Sequence, residues 1–219
     1  MLLNPLPRYK AKQVRVDGRR LYQIEGHHYP GVTTILSATK PPEAKQALYQ
    51  WRQRVGTAEA NRITAKATSS GTKIHKHIEA FLNGDPVPDE LAENGFWQSI
   101  KPVLAKVEES LLVEGAVWHD RGFAGFPDAL VQYEGNLCLC DWKTARKPKR
   151  PEWITDYYLQ VAAYCQAVNH VYQDYGIEVK RALVAIALED APAQLFPLDL
   201  AELDHHWLGF QARLRAYGW

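Results

Sequence analysis

The fold is decided by a stretch in the middle of the chain that reads Asp128-Ala-Leu-Val-Gln-Tyr-Glu-Gly-Asn-Leu-Cys-Leu-Cys-Asp-Trp-Lys143. Its two apolar runs flank a four-residue turn, in which Gly135 is free to adopt a positive φ. We therefore predict a β-hairpin. If Tyr133 pairs with Asn136, counting back along both strands places Asp128 directly opposite Asp141.

This register predicts a cluster of three charged side chains. Directly opposed Cβ atoms in an antiparallel pair are about 4.5–5.5 Å apart, so the two carboxylates become neighbours. Alternation along the strand places Asp141 and Lys143 on the same face of the hairpin. A slip of one residue would separate the three side chains. The alternative for the bare triplet is an ordinary ion pair between Asp and Lys on a hairpin surface.

Two close carboxylates beside a lysine suit chemistry with a divalent cation. The carboxylates repel one another, and a cation bound through their oxygens relieves the repulsion. Mg²⁺ or Mn²⁺ fits this set better than zinc, because the cluster has no thiolate or imidazole pair. Such a cation polarises a phosphate oxygen and lowers the pKa of bound water. Lys143 would position the water or stabilise charge on the phosphoryl oxygens, so cleavage of phosphodiester bonds is the expected chemistry.

The composition is that of an ordinary globular domain. The chain has 219 residues, of which 46% are hydrophobic and 23% charged, so it fits one domain with a sizeable core. We predict a single nuclease domain over 1–219, made of a β unit (12–36), a helical region (40–110) and a catalytic core (111–219). The formal charge of +1 excludes a binder with a global basic field, although basic residues are concentrated in 40–66 and 143–150.

Cysteine usage and the absence of long apolar runs bear on the compartment. The chain has three cysteines, and an odd, sparse set argues against a disulfide framework. No apolar run reaches the roughly 20 residues needed to cross a bilayer, so no membrane partner is expected. The N-terminal residues show no signal-peptide core, and Asp17 and Glu25 occur early. A reducing, soluble compartment is favoured.

Periodicity and turn residues predict the order of the elements. Helices are expected in the first half of the chain, with a break at Ser69–Gly71. A closing helix is expected to begin after the cap Asp199. The predicted helices are 43–66, 72–82, 89–109, 153–174 and 199–217, and the predicted core strands are 111–118, 123–133, 137–144 and 181–188. This order predicts an α/β sandwich with a mixed central sheet flanked by helices.

Two helical pairs lie on either side of the hairpin in the sequence. His75 and Glu79 are four residues apart and share a helix face, and Gln160 and Tyr164 are spaced in the same way. Each pair alone is typical of an ordinary helix surface. In chain order, however, the motifs are Gly71-x3-His75, Glu114 on a strand, Gly125-x2-Asp128, Asp141-x-Lys143-Thr144 and Gln160-x3-Tyr164.

This ordered set resembles the RecB-type branch of the PD-(D/E)xK nucleases, which share a core like that of restriction endonucleases. Within the branch, four parts of the chain are similar to the family of mitochondrial genome maintenance exonucleases and their bacterial and phage relatives. These parts are Pro30–Leu36, Gln50–Arg54, Asn136–Thr144 with Lys147–Lys149, and Leu159–Tyr164. The resemblance covers roughly residues 30–217.

The resemblance implies the metal ligands and the catalytic residues. His75, Asp128 and Asp141 would bind the metal, and the carbonyl of Trp142 would be a further ligand. Lys143 would act in catalysis together with the two aspartates. Some relatives hold an iron–sulfur cluster with one cysteine early and three late in the chain. The cysteines here do not have that spacing, so no iron–sulfur cluster is expected.

The resemblance also implies how DNA would be bound. Gln160 and Tyr164 would contact the strand near the site, and the basic helix at 43–66 would form an arch over single-stranded ends. Glu79 and Glu114 are additional acidic candidates, of which Glu114 matches the family's acid on the preceding strand. Other side chains expected to contact DNA are Trp51, Arg52, Lys73, Arg146, Lys147 and Lys149. For Trp51, packing in the core is the alternative.

We therefore predict a Mg²⁺- or Mn²⁺-dependent exonuclease that prefers single-stranded DNA ends and serves DNA processing, repair or recombination. The partner would be DNA and the protein a monomer. One alternative is a flap or structure-specific endonuclease or a duplex-end exonuclease, and another is an inactive nucleic-acid-binding module. The intact set of Asp128, Asp141 and Lys143 argues against the inactive module. Because the first residues are not rich in Arg and Ser, we expect a cytoplasmic bacterial or phage-encoded protein and not one of the mitochondrial matrix.

Overall fold

The computed structural model describes residues 6–219. Its first unit is an antiparallel sheet of β1 (Ala11–Val16), β2 (Arg19–Ile24) and β3 (His27–Tyr29), followed by the short helix α1 (Val32–Ala38). The two-residue turns between the strands have positive φ at both positions, which matches the twist of hairpin strands. The β structure expected at 12–36 is therefore present as far as Tyr29, but the prediction is wrong for residues 32–36, which form the start of α1.

Two helices separated by one glycine replace the predicted helix 43–66. α2 (Pro42–Val55) ends at Gly56, and α3 (Thr57–Leu82) begins directly after it. Gly56 has a φ of +83°, a left-handed conformation that glycine adopts without steric cost, so the chain turns there. The predicted break at Ser69–Gly71 is wrong. α3 runs through these residues, because two buried isoleucines hold the following turns against the core.

The helix α4 (Gly95–Leu104) is shorter than the predicted helix 89–109. Asn94 caps it, because the Asn94 side chain accepts a hydrogen bond from the N–H of Trp97 at 3.1 Å. The residues before the cap form only a short 3₁₀ turn, and the chain enters the central sheet soon after the helix ends. Periodicity alone extends the helix over both flanks, whereas the cap marks its actual start.

The central sheet has five strands in the order β10-β9-β8-β7-β4. β8 and β9 run parallel and the other neighbouring pairs run antiparallel, so the sheet is mixed, as predicted. Its strands are β4 (Val107–Val113), β7 (Ala129–Tyr133), β8 (Asn136–Ala145), β9 (Ala182–Leu188) and β10 (Gln194–Leu198). A separate two-stranded ribbon is formed by β5 (Val117–His119) and β6 (Phe123–Gly125).

Two of the predicted strands are each divided into two, and the structure contains one strand, β10, that was not predicted. The predicted strand 111–118 splits at Glu114, whose φ of +50° bends the chain between β4 and β5. The predicted strand 123–133 splits just before β7 into β6 and β7. The sequence does not predict β10, because Pro197 argues against a strand. The structure accommodates this proline because β10 is an edge strand.

The hairpin of β7 and β8 has the predicted register. Tyr133 pairs with Asn136, and the pairing continues without a slip as far as Cys140. Asp128 and Asp141 extend this register by one further position, so they lie at the same level of the sheet. The predicted hairpin is confirmed, and with it the local geometry that brings the two aspartates together.

Helices cover both faces of the central sheet. α5 (Thr155–Val171) and α6 (Leu200–Tyr217) pack with α1 on one face, around a core that includes Phe210. α3 and α4 pack on the other face, around Trp97 and Trp142. Full burial of a phenylalanine such as Phe210 contributes about 1.5–3 kcal/mol. This arrangement confirms the predicted α/β sandwich with a mixed central sheet.

The closing helix and the cysteines agree with the sequence. Asp199 caps α6 and forms a capping box with Glu202, in which the two N–H···O distances are 2.9 and 3.0 Å. The cysteines Cys138, Cys140 and Cys165 are buried free thiols. In the part of the chain that the structure describes, no helix combines the length and apolarity needed to span a membrane.

Candidate active site

Three acidic side chains lie on, or directly beside, three neighbouring strands of the central sheet. Glu114 follows β4, Asp128 precedes β7 and Asp141 lies within β8. Because these strands are adjacent, and neighbouring strands are about 4.8 Å apart, the fold brings the three carboxyl groups to one place. The backbone N–H of Glu114 donates a hydrogen bond to the carbonyl of Asp128 at 3.1 Å, which fixes the junction of β4 with β7.

Asp128 is held between β8 and α3. Its Oδ2 accepts a hydrogen bond from the backbone N–H of Trp142 at 2.6 Å. Its Oδ1 lies 3.6 Å from Nδ1 of His75, which α3 supplies. Because α3 and α5 cover opposite faces of the sheet, the site is enclosed by helices from both faces.

Three side chains of this cluster form a group suited to a cation. His75, Glu114 and Asp128 each offer one donor atom, and these atoms all lie within 4.8 Å of one another. Carboxylate oxygens suit Mg²⁺, and Mn²⁺ accepts an imidazole nitrogen as well. The donor set therefore fits a divalent cation. Glu114, an additional candidate in the sequence, belongs to this group by geometry.

Asp141 is fully buried and is contacted from two sides. Its Oδ1 accepts a hydrogen bond from Nε2 of Gln160 at 2.9 Å, and its Oδ2 is in ion-pair contact with Nζ of Lys143. This contact is a charge-assisted pair, in which the ammonium group of Lys143 neutralises the buried carboxylate.

Burial and mutual repulsion favour the protonated carboxyl groups. The pKa of Glu114 is raised to about 8, chiefly by desolvation and then by the charges of Asp128 and Glu79. The pKa of Asp141 is raised to about 6 by burial, which Lys143 opposes and Asp128 reinforces. Both carboxyl groups therefore resist ionisation, and a bound cation would offset the repulsion.

Lys143 is held in its charged form. Burial works to lower the pKa of Lys143, but the carboxylates of Asp141 and Asp128 outweigh it and raise the pKa above the ordinary lysine value. Nζ also lies 5.1 Å from the ring centroid of Tyr157, within cation–π range. The ammonium group is therefore confined between a carboxylate and an aromatic ring.

α5 carries three side chains of the site on one face. Tyr157, Gln160 and Tyr164 are spaced by three and four residues, which aligns them along the helix. Tyr164 is 4% exposed and packs on Gly125, where a Cβ atom would lie 2.6 Å from Cε1 of the ring. Tyr164 therefore forms the wall behind the carboxylates, while Gln160 orients Asp141. Both side chains are engaged with the protein itself. Tyr157 was not a candidate in the sequence, although its helical spacing from Gln160 is a signal that points to it.

The aromatic and basic residues expected on the arch lie outside this cluster. Trp51 and Arg52 are on α2, and Arg52 donates to Oδ1 of Asn61 on α3 at 2.7 Å. α2 buries none of its residues and exposes Leu48 and Tyr49, so it projects from the body of the protein beside α3. Trp51 is half-buried on α2. It belongs to neither of the two hydrophobic cores that flank the central sheet.

The remaining candidates lie on α3 and on the loop that follows β8. Lys73 is exposed on α3, and Lys147 is exposed in the loop that follows β8. In the same loop, Nε of Arg146 lies 3.4 Å from Oε2 of Glu189, and Lys149 is half-buried. An open cleft of about 320 Å³ adjoins the carboxylates, and its lining residues are Gly71, Thr72, His75, Lys76, Glu79 and Glu114.

The sequence of the catalytic half matches a known family. Residues 97–212 match the model of the PD-(D/E)XK nuclease superfamily, which is more than half of the chain. The chain belongs to the PD-(D/E)XK nuclease superfamily. The identification made from the ordered motifs is confirmed, and so is the fold class.

Relatives within the superfamily are exonucleases by name. The chain is 32% identical to mitochondrial genome maintenance exonuclease 1 of Mus musculus over 207 residues, which are 89% of this chain and 60% of the relative. It is 31% identical to the protein of that name from Homo sapiens over 199 residues, 86% of this chain and 58% of the relative. The chain thus spans about three fifths of the length of these relatives. The crystal structure of LHK-Exo in complex with dAMP has a TM-score of 0.33 and 16% identity, covering 86% of this chain and 88% of that one.

The prediction of a bacterial or phage-encoded cytoplasmic protein is wrong in the light of these relatives. The mouse and human proteins, and a third from Xenopus tropicalis that is 32% identical over 201 residues, are mitochondrial by name and eukaryotic. The prediction depended on the composition of the first residues. Similarity over most of the chain carries more information than that composition does.

Proposed function

We propose that this member of the superfamily is a metal-dependent deoxyribonuclease that degrades single-stranded DNA from an end. The observation that carries the proposal is the contact of Lys143 with the buried Asp141, at the level of Asp128 on the neighbouring strand. Removing a lysine and two carboxylates from water is costly, even when they are paired. Such an arrangement has little value for stability but suits phosphodiester hydrolysis.

The cation would be held by His75, Glu114 and Asp128, with the neighbouring carboxylate of Asp141 as a further oxygen ligand. When bound, it would polarise a phosphate oxygen and lower the pKa of a water molecule. Three of these four donors are oxygens, which favours Mg²⁺ or Mn²⁺ over softer metals.

Lys143 would stabilise the negative charge that develops on the phosphate during attack by water. A preorganised ammonium group in a site with little water is effective in this role. Because the pKa of Lys143 is raised, the side chain stays charged at neutral pH and acts as a hydrogen-bond donor, not as a base. The ring of Tyr157 and the carboxylate of Asp141 hold Nζ in place for this contact.

The helix pair of α2 and α3 would guide the single strand to the site. Tyr49 on α2 is 63% exposed. Arg52 and Arg54 follow it in the last turn of the helix. An exposed ring can stack on bases while nearby basic side chains follow the phosphates. The names of the relatives agree with an exonuclease, and we propose a role in DNA maintenance on that basis.

Linear and circular DNA separate the candidate activities. We expect rapid loss of a linear single-stranded oligonucleotide, little loss of the matching circle and slower loss of the linear duplex. Rapid cutting of the circle would contradict an exonuclease and favour an endonuclease. Preferred cutting of the duplex would contradict single-strand preference. Binding of the linear strand without cleavage in Mg²⁺ or Mn²⁺ would favour the inactive binding module.

A further inference from the structure

We propose that Trp153 and Arg150, here termed the Trp153 platform, bind an unpaired base of the DNA strand by stacking beside the active site. The inference rests on the proposed function, since its ligand is the DNA strand that the nuclease site would cut. It adds a nucleobase-binding site on the loop between β8 and α5.

Trp153 is exposed in a way that the fold does not require. The residue is 62% exposed, although an indole ring contributes most when it is buried against a partner. Trp153 ends the 3₁₀ turn Pro151–Trp153, and the next residue, Ile154, anchors this turn in the core with 2% exposure. The turn therefore keeps its anchor without the indole, whose surface is available to a ligand.

The loop that carries the Trp153 platform is held by hydrogen bonds. The N–H of Trp153 donates to the carbonyl of Arg150 at 3.0 Å. The N–H and carbonyl of Lys149 are both bonded by the side-chain amide of Gln194 on β10, at 2.6 and 3.0 Å. A loop whose backbone is already held loses little conformational entropy when a base stacks on its side chain.

The charge around the ring suits a nucleic-acid strand. The guanidinium carbon of Arg150 lies 5.2 Å from the ring centroid of Trp153, and Lys147 and Lys149 precede it in the same loop. The acid in the turn, Glu152, is 4.0 Å from Arg150, and both side chains are strongly exposed, so this pair is weak. The loop therefore combines an aromatic surface with unneutralised positive charge.

The Trp153 platform directly precedes the helix that carries part of the candidate site. Trp153 lies two residues before α5 and four before Tyr157, whose ring contacts the ammonium group of Lys143. Asp156, at the start of α5, accepts a hydrogen bond from Arg213 at 3.1 Å, and Arg213 also donates to Oγ1 of Thr39 at 2.7 Å. Since Thr39 lies just before α2, these hydrogen bonds connect the start of α5, which directly follows the platform in the chain, to the base of that projecting helix.

This combination favours a base of a single strand over other ligands. Every base presents a π face, so one indole ring can bind successive bases without sequence preference. Arg150 and the two lysines would contact the adjoining phosphates. Stacking requires unpaired bases, so the platform would contribute to the preference for single strands over duplexes.

The inference is tested by measuring how tightly the protein binds single strands that each lack one base. Affinity is measured with a fluorescent oligonucleotide and with a series of the same oligonucleotide in which one abasic residue occupies a different position each time. EDTA is present, so that no strand is cut. We expect Trp153→Ala to weaken binding about five- to hundredfold and Trp153→Phe to retain most of the affinity. In the wild-type protein one abasic position should weaken binding most, and Trp153→Ala should remove that difference.

Trp219→Ala is the matched control, because Trp219 is another exposed indole with an arginine, Arg19, at 6.0 Å from its ring. It should leave affinity and the abasic profile unchanged. If wild-type protein binds and digests single strands, but Trp153→Ala leaves the abasic profile unchanged, the proposal that the Trp153 platform binds a base is wrong and the nuclease proposal stands. If wild-type protein neither binds nor digests single strands, both proposals are wrong. Thermal unfolding of each variant separates lost contact from lost folding.

Discussion

The side-chain amide of Gln160 donates a hydrogen bond to Oδ1 of Asp141 across 2.9 Å, and this contact ties α5 to β8 at the centre of the candidate site. Asp141 is fully buried, so its orientation depends on the few groups that reach it. With Oδ1 satisfied by Gln160, Oδ2 is directed towards Lys143. The contact thus fixes the orientation of this carboxylate in the candidate site.

Replacing Gln160 by Leu should weaken both the fold and the metal site. The change leaves a buried carboxylate oxygen unsatisfied, which costs about 1–3 kcal/mol of unfolding free energy. Loss of a residue that orients a metal ligand typically lowers metal affinity or activity about 10–100-fold. Denaturant unfolding and Mn²⁺ titration measure the two effects. Gln166→Leu, on the same helix, is the matched control, and equal effects of both changes would contradict the orienting role.

Glu114 should make the stability of the metal-free protein depend on pH. Its folded pKa is raised to about 8 from the ordinary value of 4.5, so between these values the folded state holds a proton that the unfolded chain has released. The free energy of unfolding therefore falls as pH rises through this window. We expect a lower Tm at pH 8 than at pH 6 in EDTA, and a weaker dependence in Glu114→Gln.

Added Mg²⁺ should raise the Tm more at pH 8 than at pH 6, because a cation binds the ionised carboxylate and binding releases the proton. Glu178→Gln is the control, since Glu178 forms only an exposed pair with Lys180 at 2.7 Å. A Tm that rises from pH 6 to pH 8 in EDTA, together with an unaltered profile in Glu114→Gln, would show that this carboxyl group is not the one responsible.

Two glycines near the site should respond to alanine with opposite signs. A Cβ at Gly125 would lie 2.6 Å from the Tyr164 ring, so Gly125→Ala should destabilise by about 1–3 kcal/mol. Gly71 lies inside α3, and a Cβ there would meet Oγ1 of Thr144 at an ordinary 3.4 Å. Gly71→Ala should stabilise by up to about 1 kcal/mol through helix propensity. Denaturant unfolding measures both changes, and a Gly125→Ala variant as stable as the wild type would contradict the packing of Tyr164 on Gly125.

Tyr157 should matter for the rate through its ring and not through its hydroxyl. A cation–π contact contributes about 0.5–2 kcal/mol, so Tyr157→Ala should lower kcat by about two- to thirtyfold, with KM less affected. Tyr157→Phe should restore most of the rate. Tyr158→Ala serves as the control for general damage to α5, because the Tyr158 ring stacks on His206, with 5.0 Å between the ring centroids, and not on Lys143. A loss in the phenylalanine variant as large as in the alanine variant would contradict the contact.

The parts of the site that local geometry determines could be predicted from the sequence. One turn sets the register of β7 and β8, and alternation then places Asp141 beside Lys143. The contributions of Glu114 and Tyr157 were harder to predict, because they depend on the order of strands in the sheet and on how α5 packs. Likewise, α3 continues through Ser69–Gly71 because tertiary packing overrides the weak helix propensity of these residues.

The measurement that most directly tests the central claim is digestion of an end-labelled single-stranded oligonucleotide by wild-type protein, Asp141→Asn and Lys143→Met. The reactions are run with Mg²⁺, Mn²⁺ or EDTA, and Lys180→Met, at an exposed lysine, serves as the control. We predict cleavage by the wild type and the control only with metal, and a loss of about 100-fold or more in both site variants, which stay folded and still bind DNA. Undiminished cleavage by Lys143→Met, or cleavage by the wild type in EDTA, would contradict the account.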